Sequence, residues 1–251
     1  MNLVQLRGRF PDRTIVYFES IDSTMREAAR LAASGCPSGT TVVAGEQTAG
    51  QGRHGHSWHS ELAAGLYVSI VLRPRDGTTA APALTLALGL ATAEAIARTA
   101  DVACDIRWPN DLMIGGGKTA GILVNLADKA VIAGIGVNVN HTEFPPDLRD
   151  EATSLRIATG REHSREQLLG NLLQSVDGFC RMLWDGGNAA IFAQFARRST
   201  YASGKRVTVA MGDRTISGVT AGLDSFGFLR VRTGDGRVET IVAGGVRAAG
   251  D

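Results

Sequence analysis

Cysteine is scarce in this chain and widely dispersed: Cys36, Cys104 and Cys180 are the three among 251 residues. No two of them form a Cys-x-x-Cys pair, so neither a zinc knuckle nor a disulfide framework is indicated, and the reducing cytoplasm is the expected setting. Excess charge is lacking too. Lys and Arg total 26 against 25 Asp and Glu, a formal net charge of +1, so no basic field of the kind that drives nucleic-acid binding is expected. Long apolar runs are also missing. The most apolar stretch, Ala80 to Ala97, is interrupted by Pro82, Thr85, Gly89, Thr92 and Glu94, and reads as a buried helix rather than a membrane span. The opening MNLVQLRGRFPDRTIVYF holds no apolar segment long enough for a signal peptide.

Glycine, by contrast, is plentiful: 31 residues, clustered at 50–55, 115–117 and 134–136. Such clusters mark places where backbone can approach a ligand closely. Around them, β-branched and apolar runs predict strands over 14–18, 41–48, 65–72, 105–108, 119–126 and 129–140. Helices are expected in the segment after Ile21, closed by Gly35, and over 78–99, 164–183 and 189–199. Asp22, Ser23 or Thr24 can cap the first helix, and Thr24 with Glu27 has the spacing of a capping box. Asn110–Met113 with the glycine triplet reads as a turn. Beyond Tyr201 the texture changes to short alternating runs separated by Gly-Asp turns. That predicts a small five-stranded, SH3-like β unit over 201–251 after a larger α/β unit over 1–200.

The run GQGRHGHSW (50–58) matches Gly-x-Gly-x-x-Gly by letter. No helix start and no acidic ribose partner follow, so a dinucleotide fingerprint is not supported, and the lysine of a P-loop is absent. A phosphate here would rest on Arg53 and bare backbone amides. Trp58 can stack on a purine or fill the core. His54, His56 and His59 invite a metal, but loop histidines at this spacing are more commonly solvent-facing. Lys118 opens an apolar strand: on the surface it is ordinary, but facing inward it is costly without an anion. Asn138 can serve a site or merely cap a strand end.

In chain order stand Ser23-Thr24, Gln47, the glycine loop, Trp108-Pro109-Asn110-Asp111, Lys118-x-Ala120-Gly121-Ile122-Leu123 and Gly134-x-Gly136-x-Asn138. Together they resemble the biotin protein ligases in their short form, over nearly the whole chain. The resemblance implies a class II tRNA synthetase-like mixed sheet with helices on one side, followed by the small barrel. It implies activation of biotin by ATP to biotinyl-5′-AMP, then transfer to a lysine of a biotin carboxyl carrier protein. Lys118, Arg53 and Asp111 are then the expected catalytic residues, the two cations neutralising carboxylate and α-phosphate and Asp111 orienting the acceptor lysine. Biotin falls to Ser23, Thr24, Met25 and Gln47, to loop residues Gly50, Gln51, Gly52 and Arg53, to Lys118, and to Gly121, Gly134 and Gly136. ATP falls to Arg53, His54, Gly55, Trp58, Asn110, Lys118 and Asn138, with Mg²⁺ as its companion. The family also leaves a homodimer open.

The chain departs from the family pattern at three places. Gln51 and His56 stand where arginines are usual, and Met25 where asparagine often follows Ser-Thr. A histidine carries charge only when protonated, so contact with ATP is expected to weaken as pH rises. Three rival readings follow. One is a lipoate–protein ligase, which tends to lack the tryptophan of the Trp-Pro-Asn-Asp stretch and the β unit. Another is a biotin-binding protein without catalysis. A biotin-sensing repressor needs a winged helix-turn-helix ahead of the catalytic unit, and only about a dozen residues precede the first expected strand.

Overall fold

The computed structural model describes residues 1–74, 81–127, 130–212 and 214–249, the side chain of His54 excepted. In chain order the elements are α1 (Val4–Arg9), β1 (Ile15–Ile21), α2 (Thr24–Ala33), β2 (Thr41–Gln47), a 3-10 turn (Arg53–Gly55), β3 (Gly65–Leu72), α3 (Ala81–Ala100), β4 (Asp105–Arg107), β5 (Asp111–Ile114), β6 (Gly117–Ala127), β7 (Ala130–Asn138), α4 (Leu155–Thr159) and α5 (Arg165–Arg198). Then come β8 (Ser203–Met211), β9 (Arg214–Leu223), β10 (Leu229–Thr233), β11 (Val238–Ile241) and β12 (Gly245–Ala248). The first seven strands form one mixed sheet in the order β1-β2-β3-β7-β6-β5-β4, in which only β1 and β2 run parallel. The last five make a second, antiparallel sheet in the order β11-β10-β9-β8-β12.

β3 is buried at all eight positions because both faces of the sheet are covered. Alternate residues divide between two cores. Val43, Val68, Ile70, Ala133 and Ile135 join the large core with α3 and α5. Val42, Val71 and Ile132 point the other way and pack with Met25, Ala28 and Ala32 of α2. Helices therefore lie on both faces, not on one: α2 is amphipathic and short, and its apolar side meets the face opposite α3. Residues 78–80 of the helix expected over 78–99, and Asp128 and Lys129 at the expected β6–β7 junction, lie outside the described residues. α3 is long and apolar enough to cross a membrane by composition, but it is mostly buried between the sheet and α5.

Two local expectations are corrected. The capping box does not form: the Thr24 hydroxyl turns to Gln47 and Ser69, while Glu27 receives Arg30. Asp111–Ile114 is not a turn but strand β5, paired with β4 and β6, and the turns flank it. The two helices expected over 164–183 and 189–199 do form, run together as α5 and divided by a kink at Gly187, where φ is 72°.

The C-terminal sheet shares the large core through Val207, Val209, Leu229, Val231 and Ile241. Its junction is tied by the Ser199 hydroxyl donating to the Ile106 carbonyl at 2.6 Å. The buried Trp108 indole donates to the Gly227 carbonyl at 3.0 Å. Trp108→Phe deletes this donor and leaves a buried carbonyl unmet, which costs about 1–3 kcal/mol. The expected outcome is a lower denaturation midpoint without loss of the fold.

Candidate active site

The site stands on the α2 face of the sheet. Strand register sets Tyr67, Gly136, Gly121 and Asp111 side by side across β3, β7, β6 and β5, with Ser69, Gly134 and Leu123 in the next row. Directly opposed residues share a face. The glycines thus make a floor without side chains, and what lies on it is close. A Cβ at Gly136 would come within 2.5 Å of the Trp58 ring, and one at Gly121 within 2.7 Å. One at Gly134 would meet the Met25 sulfur at 2.5 Å. The Trp58 indole therefore rests on the floor that the sequence reading reserved for biotin, and its buried N–H has no partner.

The glycine loop closes into a small hairpin. Gln51 bridges Ser57, the Gly52 N–H donates to the His56 carbonyl at 2.7 Å, and the Trp58 N–H donates to the Gly50 carbonyl at 3.0 Å. Its tip is the 3-10 turn, ending at Gly55 with φ of 80°. Gly50 is needed for closure, since a Cβ there would lie 2.8 Å from the Trp58 carbonyl. Gln51 and residues 55–57 are exposed, so the hairpin is the part of the site most readily cut. If ligand orders it, biotin with ATP slows proteolysis within residues 50–60. Equal cleavage with and without ligands counts against a lid.

β6 carries a bulge that aims Lys118. Leu112 faces Ala120, yet Met113 faces Lys118, so Thr119 is an extra residue and its buried hydroxyl has no partner. Strict alternation from Gly121 would send Lys118 into the opposite core; the bulge turns it onto the floor side. There Lys118 Nζ lies 2.7 Å from Asp111 Oδ1 and 5.4 Å from the Trp58 ring centre. Its backbone is gripped by the Glu151 carbonyl and the Thr153 N–H.

Around Asp111 the charges do not balance. Arg107 Nη2 sits 2.9 Å from Oδ2, Lys118 takes Oδ1, and Asn110 donates to Oδ1 at 3.2 Å. Arg53 reaches the same network by donating to Asn110 Oδ1 at 2.7 Å. Burial works to raise the Asp111 carboxyl, but Lys118 and Arg107 outweigh it and hold it below the usual carboxylate range. Burial lowers the Arg53 guanidinium from its ordinary value, partly offset by Asp111; it stays charged. Three cations around one carboxylate leave positive charge for an incoming anion.

Thr24, Met25, Gln47, Gln51, Gly52, Arg53, Trp58, Asn110, Lys118 and the three floor glycines line one cavity. At its inner end the Gln47 side-chain oxygen accepts from the Thr24 N–H and hydroxyl at 2.9 and 3.0 Å, and Thr24 Oγ1 meets Ser69 Oγ at 2.8 Å. Ser23 is fully buried with an unpartnered hydroxyl, but neither it nor Gly50 nor Gly55 lines the cavity. The His54 side chain lies outside the described set. Sequence reasoning missed Ser69, the one polar residue inside the apolar run GLYVSIVL, and Ser60, which accepts from Gln47 at 3.4 Å. It also gave Arg107 no task.

A second, larger cleft adjoins the first through Arg53, Trp58, Asn110 and Lys118. Asp111, Asn138 and Glu151 line it, and the C-terminal sheet supplies Gly244 to Arg247. Asn138 is largely committed to structure there: its amide donates to the carbonyls of Lys118 and Thr153 at 3.3 and 3.1 Å.

Comparison with known proteins agrees with this layout. Residues 17–140 match the biotin/lipoate A/B protein ligase family, and residues 202–246 match the biotin protein ligase C-terminal domain. The chain is 35% identical over 233 residues to the bifunctional ligase/repressor BirA of Bacillus subtilis, covering 88% of this chain and 70% of that protein. It is 33% identical to a biotin–[acetyl-CoA-carboxylase] ligase of Paracoccus denitrificans, covering 86% and 93% of the two chains. Among solved structures, the biotin protein ligase of Aquifex aeolicus in complex with biotin and ATP superposes with a TM-score of 0.84 at 29% identity, covering 94% of this chain and 99% of that one.

Proposed function

Because the chain belongs to the biotin protein ligases, we propose that the floor cavity takes biotin, the adjoining cleft takes ATP, and the cations at their junction drive the reaction. The chain activates biotin with ATP and passes the biotinyl group to a carboxylase carrier protein. In the first step a carboxylate oxygen of biotin attacks the α-phosphorus and pyrophosphate leaves, giving biotinyl-5′-AMP. In the second, the carrier lysine's amine attacks the acyl carbon and AMP leaves. Two anions must meet in the first step, and the observation that carries the assignment is the surplus of positive charge there: Lys118 and Arg53 share one network through Asp111 and Asn110. Catalysis of this kind is positioning plus electrostatic stabilisation.

We assign the ureido ring of biotin to the inner end, where Thr24, Gln47 and Ser69 exchange hydrogen bonds that a urea can replace. The valeryl chain then runs over Gly134 and Gly136 toward Lys118, taking the place on the floor that the Trp58 indole fills in this structure, and the indole lifts with its hairpin to cover it. Trp58 is thereby reassigned from adenine to the roof over the acyl chain. The nucleotide faces Arg107, Asn110 and the Gly244 to Arg247 edge, so that residues 1–200 carry the chemistry and 201–251 complete the nucleotide cleft. Asp111, held ionised, attracts the carrier lysine's ammonium. The oxygen donors Asp147 and Glu151 of the same cleft suit Mg²⁺, a hard cation that would offset phosphate charge.

The deciding experiment is pyrophosphate release from ATP with biotin and, separately, with lipoate. Release with biotin alone supports the assignment. Release with lipoate alone moves the chain to the lipoate branch of the family, and tight biotin binding without release marks a binding protein.

A further inference from the structure

Just past Trp58 the chain carries a second cluster that the ligation chemistry does not use. His59 and Glu61 follow the glycine loop two residues apart, and His141 follows β7; one ligand atom from each lies within 4.8 Å of the others. We propose that His59, Glu61 and His141 form a binding site for a divalent transition metal of the zinc class, which staples the C-terminal end of the glycine loop to the segment after β7.

The site is held by its surroundings. Tyr67, itself buried, accepts from the Glu61 N–H at 2.9 Å and donates to the Glu61 carbonyl at 3.1 Å, fixing that residue's backbone. Its phenol is then both acceptor and donor. Its single proton is spent on Glu61, so His141 Nε2, 3.4 Å from the same oxygen, is the nitrogen that carries hydrogen. That leaves the lone pair on Nδ1, and Nδ1 is buried without a partner among the described residues, in a side chain that is fully buried. The ring is clamped from behind by Phe144, stacked at 5.2 Å, and the His141 carbonyl accepts from Ser154 at 2.7 Å.

The donor set selects the metal. Two imidazoles and one carboxylate suit zinc and its neighbours, whereas magnesium takes oxygen. Bonds of about 2.0–2.1 Å at tetrahedral angles bring ligand atoms to roughly 3.3 Å apart, a modest closure for the exposed Glu61 and the half-buried His59. The fourth position is left to water. Because His59 adjoins Trp58, the metal fixes one root of the loop whose other root is Gly50.

The test uses the whole chain, stripped with a chelator and free of nucleotide, titrated at neutral pH with Co²⁺ and then with Zn²⁺ as competitor. The expected result is one-to-one binding with the intense visible absorption of tetrahedral cobalt, displaced by zinc. Zinc is also expected to raise the melting temperature. His59→Ala and Glu61→Gln, both on accessible side chains, are each expected to weaken binding at least tenfold. No one-to-one binding, an octahedral cobalt spectrum, or unchanged affinity in His59→Ala overturns the proposal. The outcome is independent of ligase activity, which neither variant is needed to report.

Discussion

Lys118→Ala is expected to slow biotin-dependent pyrophosphate release by about 10²–10³, the usual cost of removing one preorganised charge from a transition state. Biotin binding without ATP should change far less. The reason lies in where Nζ sits. It touches Asp111 at 2.7 Å and borders Gly121 at the mouth of the cavity, so it meets the acyl carboxylate just where the α-phosphate must approach. The fold does not depend on it: Asp111 keeps Arg107 at 2.9 Å and Asn110 at 3.2 Å, so no buried carboxylate is left bare. A single-turnover assay with both substrates, beside equilibrium binding of biotin, separates the two effects. Equal losses in both would place Lys118 in ground-state binding; no loss of rate would remove it from the chemistry.

Gly136→Val is expected to lower biotin affinity on the order of a hundredfold while the protein stays folded. Overpacking a filled space costs roughly 1–3 kcal/mol, and 1.4 kcal/mol is about tenfold in affinity. Gly136 does not have a positive φ, so valine is acceptable to the backbone. What it is not acceptable to is the indole, 2.5 Å from the added Cβ. Trp58 belongs to a surface hairpin and can move aside, so the strain is relieved by losing the roof rather than the strand. Isothermal titration with biotin, together with a melting curve shifted by no more than about a few degrees, checks this. Undiminished affinity would mean that the ligand does not lie on the glycine floor.

Much of this was legible in the residues alone. Strands β2, β3 and β7 announce themselves by continuous apolar runs, and the glycine clusters mark the loop and the floor. Lys118 stood out as a cation opening an apolar strand and Arg53 as the cation of the glycine loop, and they do share one cavity. Other features were not legible because they depend on partners distant in sequence. Which face of the sheet α2 covers follows from strand order. Ser69 becomes a site residue only because register puts it beside Gly134 and opposite Thr24. Trp58 by itself left base-stacking and core open, and the resemblance gave it to ATP, yet the absence of side chains at Gly121 and Gly136 draws it onto the sheet. β5 is too short to reveal itself without β4 and β6 on either side. The pairing of Arg107 with Asp111 across four residues needs the tight turn at 108–110.

The bulge at Thr119 bears on how this stretch tolerates change over evolutionary time. Between Lys118 and Gly121 the bulge, and not residue identity, decides which side of the sheet the lysine faces. Deleting Thr119 would remove the bulge and restore plain alternation with the lysine still on the floor side, whereas substituting a sequence that keeps the count but straightens the strand would deliver the charge to the apolar side. The turn at Gly115 and Gly116, where a side chain would meet nothing within 4 Å, can lengthen or shorten freely. Among homologous sequences, length changes should therefore accumulate at that turn, and between Lys118 and Gly121 they should be confined to the one residue that the bulge absorbs.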